Sequence, residues 1–144
     1  MGEQSIRFSR LESAEAVAEE AARRMRAAAR RAIAARGRFR CVLAGGRPPF
    51  AACGRRVHQP EDWAHWHLFL GDERCLPPHD PERNSRAIAR ALTERVPIPS
   101  ENLHWIPAES GAESAARRYD ALIAAHMPFD LILLGMGEDG HTAS

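Results

Sequence analysis

Lysine is absent from this chain; all 20 basic side chains are arginine. Schiff-base catalysis by lysine and a Walker-type phosphate loop are thereby excluded within these residues. Cysteine is scarce. Cys41, Cys53 and Cys75 are odd in number, and their spacing fits neither a CxxC motif nor a zinc knuckle. A reduced, cytoplasmic protein is the expectation. No apolar run approaches the roughly 20 residues of a membrane span, and no apolar stretch follows Met1 as in a signal peptide. An excess of one charge is also missing. A formal net charge of +1 argues against a dedicated nucleic-acid binder. The few aromatic residues include Trp63, Trp66 and Trp105, which read as core or rim packing and not as a base-stacking platform.

What is present suits one globular domain over 1–144, or part of one. An apolar fraction of 44% is enough for a core. Ser13 to Arg36 carries Val17, Ala21, Met25, Ala28, Ala29, Ala32 and Ile33 at helical spacing. Ser13 can cap this helix and Gly37 can end it. Its mixed Glu and Arg read as a solvated face. Short apolar runs follow at Cys41–Ala44, His65–Leu70, Leu103–Ile106 and Phe129–Leu134, and they read as buried strands. Helical patterns near 50–57, from about 82, and over 112–125 separate them. Alternating strands and helices predict a doubly wound α/β fold with a mostly parallel sheet.

In such sheets ligands bind beyond the carboxyl ends of strands. Three polar loops occupy that place: "GGRPP", "GDER" and "GMGEDGH". Gly45 and Gly46 allow backbone amides to approach an anion, with Arg47 adding charge; a plain strand-to-helix turn is the alternative. Arg74 can clamp a phosphate and Asp72 can orient a water or hydroxyl, or the two form a structural pair that holds the loop. Gly135, Gly137 and Gly140 satisfy GxGxxG, but Glu138, Asp139 and His141 are poor company for a pyrophosphate. His141 is the more informative residue. Its imidazole can take a proton from water, oriented by Asp139 or Asp72, or it can serve only as a cap. His65 and His67 share a strand face, but no third metal ligand is evident, so no metal is expected. His58, His79, His104 and His126 read as surface or boundary residues.

Together these stretches resemble the 6-phosphogluconolactonase family. The resemblance runs through "LAGG", "WHLFLGDERCLPPHDPERN", "VPIPSENLHWIPAE" and "FDLILLGMGEDGHTAS", in order. It implies hydrolysis of 6-phosphogluconolactone, a sugar-phosphate lactone, to 6-phosphogluconate, without metal or cofactor. It also implies roles. His141 would be the general base, Arg74 would bind the substrate and its phosphate, Gly45 and Gly46 would cradle that phosphate, and Asp72 would support the site. Gly137, Asp139 and Gly140 would shape the turn presenting His141, and Asn84 would join the substrate contacts. Glucosamine-6-phosphate deaminase is the nearest related family, but it favours tyrosine where this chain has Arg74.

Two departures from the family pattern stand out. Arg47 and Pro48 replace small hydroxyl residues of the phosphate loop, and Pro48 removes a backbone donor. Arg83 replaces the serine that usually precedes the asparagine. The family pattern also continues beyond Ser144. The chain is therefore expected to be the N-terminal portion of a lactonase domain, its sheet incomplete at the C-terminus, with apolar surface exposed for self-association. The alternative function is a catalytically silent remnant that binds sugar phosphates or a partner.

Overall fold

The computed structural model describes residues 5–142. The last two residues of the signature stretch, Ala143 and Ser144, lie outside the described residues. Helix α1 spans Ala14–Arg36; the Ser13 side chain accepts from the Ala16 N–H at 3.1 Å. It ends at Gly37, whose φ of 72° suits glycine and whose N–H donates to the Ile33 carbonyl. Its buried stripe is Ala18, Ala22, Met25, Ala28, Ala29 and Ala32, whereas Val17 is exposed. The expected seam through Val17 and Ala21 is thus displaced by one position. Two helical turns back from Met25 lies Ala18, and the small side chains there let the helix lie close on the sheet.

Four parallel strands form one sheet in the order β3-β2-β1-β4: β1 Phe39–Leu43, β2 Trp66–Leu70, β3 Leu103–His104 and β4 Leu131–Ile132. Phe39 to Leu43 pair in register with Trp66 to Leu70. Helices α2 (Arg47–Gly54), α3 (Asn84–Ile88) and α4 (Ala112–Ala124) connect the strands, and a π-helical turn over Ala89–Thr93 extends α3. The doubly wound α/β expectation therefore holds.

The two edge strands are shorter than the sequence predicts. Beyond His104, the Ile106 carbonyl accepts from Arg83 Nη2 and from the Ala108 N–H, so its bonds leave the ladder. Beside β4, the Arg40 N–H is taken by the Asp130 carboxylate at 2.8 Å. A side chain thus replaces a rung of the ladder. Helix α2 also begins earlier than expected, at Arg47 rather than Phe50. Prolines at its start lack donors that a first turn would leave unpaired anyway.

Side chains alternate across the strands. Phe39, Cys41, Leu43, Trp66, Leu68 and Leu70 face α1, α2 and α3, forming the core with Met25, Cys53, Ile88 and Leu92. Phe39 meets Trp66 edge-on at 4.8 Å. The three cysteines are unpaired; burial raises the Cys53 thiol to about 12. Two of the expected tryptophan roles are clear: Trp63 and Trp66 are buried core, and Trp105 packs at its margin.

The opposite face carries an imidazole cluster that the sequence does not announce. His67 Nδ1 lies 3.3 Å from His104 Nε2, and the His104 ring sits 4.5 Å from that of His126. The suggested His65–His67 metal pair does not form. His65 belongs to a turn before β2 and pairs with Asp62 at 2.9 Å. Among the described residues, no group of three or more His, Cys, Asp or Glu is placed to hold a metal ion.

This cluster makes stability pH-dependent. Burial, followed by the neighbouring imidazoles, lowers His104 from 6.5 to about 4, and burial lowers His67 as well. A base with a depressed folded pKa binds fewer protons folded than unfolded, so its stability is present at neutral pH and is lost as pH falls from 6.5 towards 4. Discounted for partial exposure, the loss is about 1–2 kcal/mol. Urea titrations at pH 7 and pH 4.5 should show it, and His104→Asn should flatten the difference.

Candidate active site

The strand order places a crevice by topology alone. From β1 the chain moves outward to β2 and β3, then returns to lay β4 on the other side of β1. The direction of winding reverses between β1 and β4, and ligands of open α/β sheets bind beyond the carboxyl ends of strands at such a point. A cleft of about 540 Å³ lies there. It is lined by Gly45 and Gly46 after β1, Asp72 and Arg74 after β2, Asn84 at the start of α3, and Gly137 and His141 after β4.

The first wall is the glycine turn. Gly46 has a φ of 103°, a conformation that favours glycine, and it sits at the N-cap of α2. At Gly45 a Cβ would fall 2.3 Å from Asn84 Oδ1, so the side chain of Asn84 occupies the space that glycine leaves. Pro48 and Pro49 also line the cleft and contribute no N–H, so the cradle depends on neighbouring amides. Arg47, expected as a substrate contact, is exposed and is not among the lining residues. It is the first residue of α2, directly after the turn.

The second wall is the loop after β2. Asn84 Nδ2 donates to the Asp72 carbonyl at 3.3 Å and to Asp72 Oδ1 at 3.2 Å. Asn84 therefore links the glycine turn to the acid. Glu73, between Asp72 and Arg74, turns away from the cleft into the interior.

The third wall is the loop after β4. The Gly137 N–H donates to the His141 carbonyl and the Gly140 N–H to the Gly137 carbonyl, both at 2.9 Å, which closes a tight turn. Gly140 has a φ of 85°, so the turn needs glycine there. His141 Nδ1 contacts Asp139 Oδ1, and its N–H also donates to that oxygen at 3.2 Å. This contact and the backbone N–H hold the Asp139 carboxyl below its ordinary range. With Nδ1 engaged, Nε2 remains as the proton-accepting nitrogen.

The family model described as glucosamine-6-phosphate isomerases/6-phosphogluconolactonase matches residues 12–144. This chain belongs to that family. It is 41% identical over 104 residues to 6-phosphogluconolactonase of Thermotoga maritima, covering 72% of this chain and 47% of that protein. It is 42% identical over 130 residues to the human GDH/6PGL endoplasmic bifunctional protein, covering 82% of this chain and 16% of that one. The crystal structure of the Thermotoga maritima enzyme superposes with a TM-score of 0.85 at 33% identity, covering 93% of this chain and 61% of that chain. The chain spans about half the length of the curated 6-phosphogluconolactonases it matches.

Within this family member the sequence-derived site residues converge well. Gly45, Gly46, Asp72, Arg74, Asn84, Gly137 and His141 share one cleft, and Asp139 and Gly140 build its third wall. Glu73 and Arg83, not among the sequence-derived site residues, contact the backbone and side chains next to the cleft. Their contacts run between distant loops, so no local spacing marks them.

Gly137 offers a test of the third wall. A Cβ there would fall 2.3 Å from His141 Cε1 and 2.8 Å from Asp139 Oδ1. The obstructed groups are exposed side chains, so they swing aside at little cost to the fold. Gly137→Ala should lower turnover by about 10²-fold, the scale of an ångström-sized misplacement, with an unchanged melting temperature. An unaltered rate would mean that the histidine's position is not critical.

Proposed function

We propose that the chain is a 6-phosphogluconolactonase portion, hydrolysing 6-phosphogluconolactone to 6-phosphogluconate. The supporting observation is the convergence of His141, Arg74, Asp72 and the Gly45–Gly46 turn on one cleft at the switch point. Named 6-phosphogluconolactonases at about 40% identity support the substrate class.

The chemistry follows from the groups present. His141 Nε2 takes a proton from water as the water oxygen attacks the lactone carbonyl carbon. Asp139 holds the imidazole and balances its developing positive charge. Arg74 binds the substrate and, with the amides of Gly45 and Gly46 at the α2 N-terminus, anchors its phosphate. Asp72, oriented by Asn84, holds the sugar hydroxyls. The tetrahedral intermediate collapses by breaking the bond between the carbonyl carbon and the ring oxygen. The imidazolium returns its proton to the leaving alkoxide, and the carboxylic acid so formed releases its own proton to solvent to give the carboxylate. Hydrolysis balances without an electron carrier. Arg47, next to the glycine turn, adds positive charge beside the phosphate.

The proposal includes a single α/β domain over 1–144 with Rossmann-like winding, cytoplasmic location, and self-association along β4. There Ile132, Leu134 and Met136 are 55%, 53% and 78% exposed. No helix among the described residues is long and apolar enough to cross a membrane.

The test is hydrolysis of 6-phosphogluconolactone by this chain, corrected for spontaneous opening and compared with unphosphorylated gluconolactone. Faster opening of the phosphorylated lactone is expected. A rate no greater than spontaneous for both would favour the silent, ligand-binding alternative.

A further inference from the structure

A carboxylate that the proposed chemistry does not use lies just behind the cleft. Glu73 is flanked by Asp72 and Arg74, yet its side chain is 0% exposed. Its Oε1 accepts from the N–H groups of Arg74 at 2.9 Å and Asn84 at 2.7 Å. Its Oε2 accepts from the Ser85 N–H at 2.9 Å and lies 3.4 Å from Arg83 Nε. Burial alone would raise its pKa, but the hydrogen bonds from Ser85, Arg74 and Asn84 outweigh burial and hold the carboxyl below its ordinary value. Glu73 is therefore ionised where it stands.

Its partner is equally enclosed. Arg83 is 3% exposed. Its Nη1 donates to the Leu76 carbonyl at 3.2 Å and to Glu109 Oε2 at 3.0 Å, while Nη2 donates to the Ile106 carbonyl at 2.9 Å. One guanidinium thus fastens the loop after β2 to the segment after β3. Its planar fork suits this task, because several donors leave one rigid group in fixed directions. A buried ion pair is a poor source of net stability, since desolvation offsets most of the attraction. What this pair does supply is fixed geometry at its neighbours.

Those neighbours are cleft residues. Arg74 is held through its backbone N–H, and so is Asn84, whose side chain reaches Asp72 and fills the space over Gly45. We infer that Glu73 and Arg83 are positioning residues, a buried pair that sets the angle at which Arg74, Asn84 and Asp72 meet the substrate. The inference rests on the proposed function in one respect, that these three residues face the sugar phosphate.

Glu73→Gln is the decisive variant. A carboxamide keeps the shape but presents an NH2 to one set of donors. Whichever way it turns, either Arg74 and Asn84 lose their acceptor, or Ser85 loses its acceptor and Arg83 its neighbouring carboxylate oxygen. The loss of a hydrogen bond to a charged group should raise KM for 6-phosphogluconolactone about 10-fold or more, with kcat nearly unchanged, because His141 and Asp139 stand on another loop. Simple destabilisation would do the reverse, lowering the active fraction and hence kcat at constant KM. Arg83→Lys keeps the charge but loses the fork, so its KM should rise by a smaller factor.

Backbone amide exchange supplies a second readout that needs no turnover. In Glu73→Gln, either the Arg74 and Asn84 amides or the Ser85 amide, whichever set faces the new NH2, should lose protection about 10-fold or more, while Leu68 and Phe69 keep theirs. An unchanged KM together with unchanged exchange would overturn the inference. If the wild-type chain gives no turnover, the proposed function fails, and the exchange comparison alone decides whether Glu73 positions these groups.

Discussion

Replacing His141 by alanine should reduce enzymatic opening of 6-phosphogluconolactone by about 10²- to 10⁴-fold, the usual contribution of a positioned general base. The size of the effect follows from the geometry. In the cleft, His141 is the imidazole, and its Nδ1 is occupied by Asp139. Asp72 is the lining carboxylate, and it is held by Asn84. The groups proposed to bind phosphate stand on the loops after β1 and β2, so His141→Ala should still bind 6-phosphogluconate with nearly wild-type affinity. Asp139→Asn should be milder in binding but costly in turnover, since an amide can hold the wrong imidazole tautomer and cannot balance its positive charge. The measurement is kcat for both variants beside calorimetric binding of the product. Retained turnover in His141→Ala would remove the histidine from the chemistry. Binding lost together with turnover would make it a substrate contact.

Much of the fold is legible because its signals are local. Ser13 caps α1 and Gly37 ends it, as the sequence suggests, and each of the four apolar runs overlaps a strand. The shortness of the edge strands has one physical origin, which is competition for backbone groups by distant partners. Neither the Asp130 carboxylate on the Arg40 N–H nor Arg83 on the Ile106 carbonyl can be anticipated from neighbouring residues. The helix register fails for a different reason. Alanine is acceptable both inside and outside, so an alanine-rich helix leaves its inward face to the sheet that receives it.

The candidate site divides along the same line. Gly45, Gly46, Asp72, Arg74 and His141 are visible because glycines and chemically able side chains follow strands directly. Their convergence is a property of strand order: had β4 paired beside β3, the His141 loop and the glycine turn would stand apart. Arg47 shows the limit of charge as a guide. It adjoins the glycines in sequence, yet the helix that begins there carries it out of the cleft lining. Glu73 shows the converse. It stands beside two cleft residues in the sequence, and only the fold shows it turned inward.

Glu61→Ala should destabilise the chain by about 3–5 kcal/mol, the cost of breaking a buried ion pair by removing one partner. The sequence gives no warning, since Glu61 lies in a stretch that reads as a loop. In the structure its side chain is 4% exposed and contacts Arg56 Nη2, whose side chain is 6% exposed. Arg26 Nε of α1 lies 3.3 Å from the same oxygen. Burial, and then the adjoining Arg26 charge, lower the pKa of Arg56. Without Glu61, two guanidiniums would share a site with no carboxylate between them. Against a total stability of roughly 5–15 kcal/mol, such a loss would unfold a substantial fraction of molecules. Arg56 immediately follows the C-cap of α2, so the site would feel the loss at the helix whose other end forms the glycine turn. Equilibrium urea unfolding checks the magnitude, and a double variant checks the cause. Arg56→Met with Glu61→Leu removes the two buried charges, leaves the partly exposed Arg26 to water, and should recover more than half of the loss, because the penalty comes from the unpaired buried charge and not from the missing pair. If Glu61→Ala costs less than about 1 kcal/mol, the range of an exposed pair, water reaches these arginines and the buried-pair account fails.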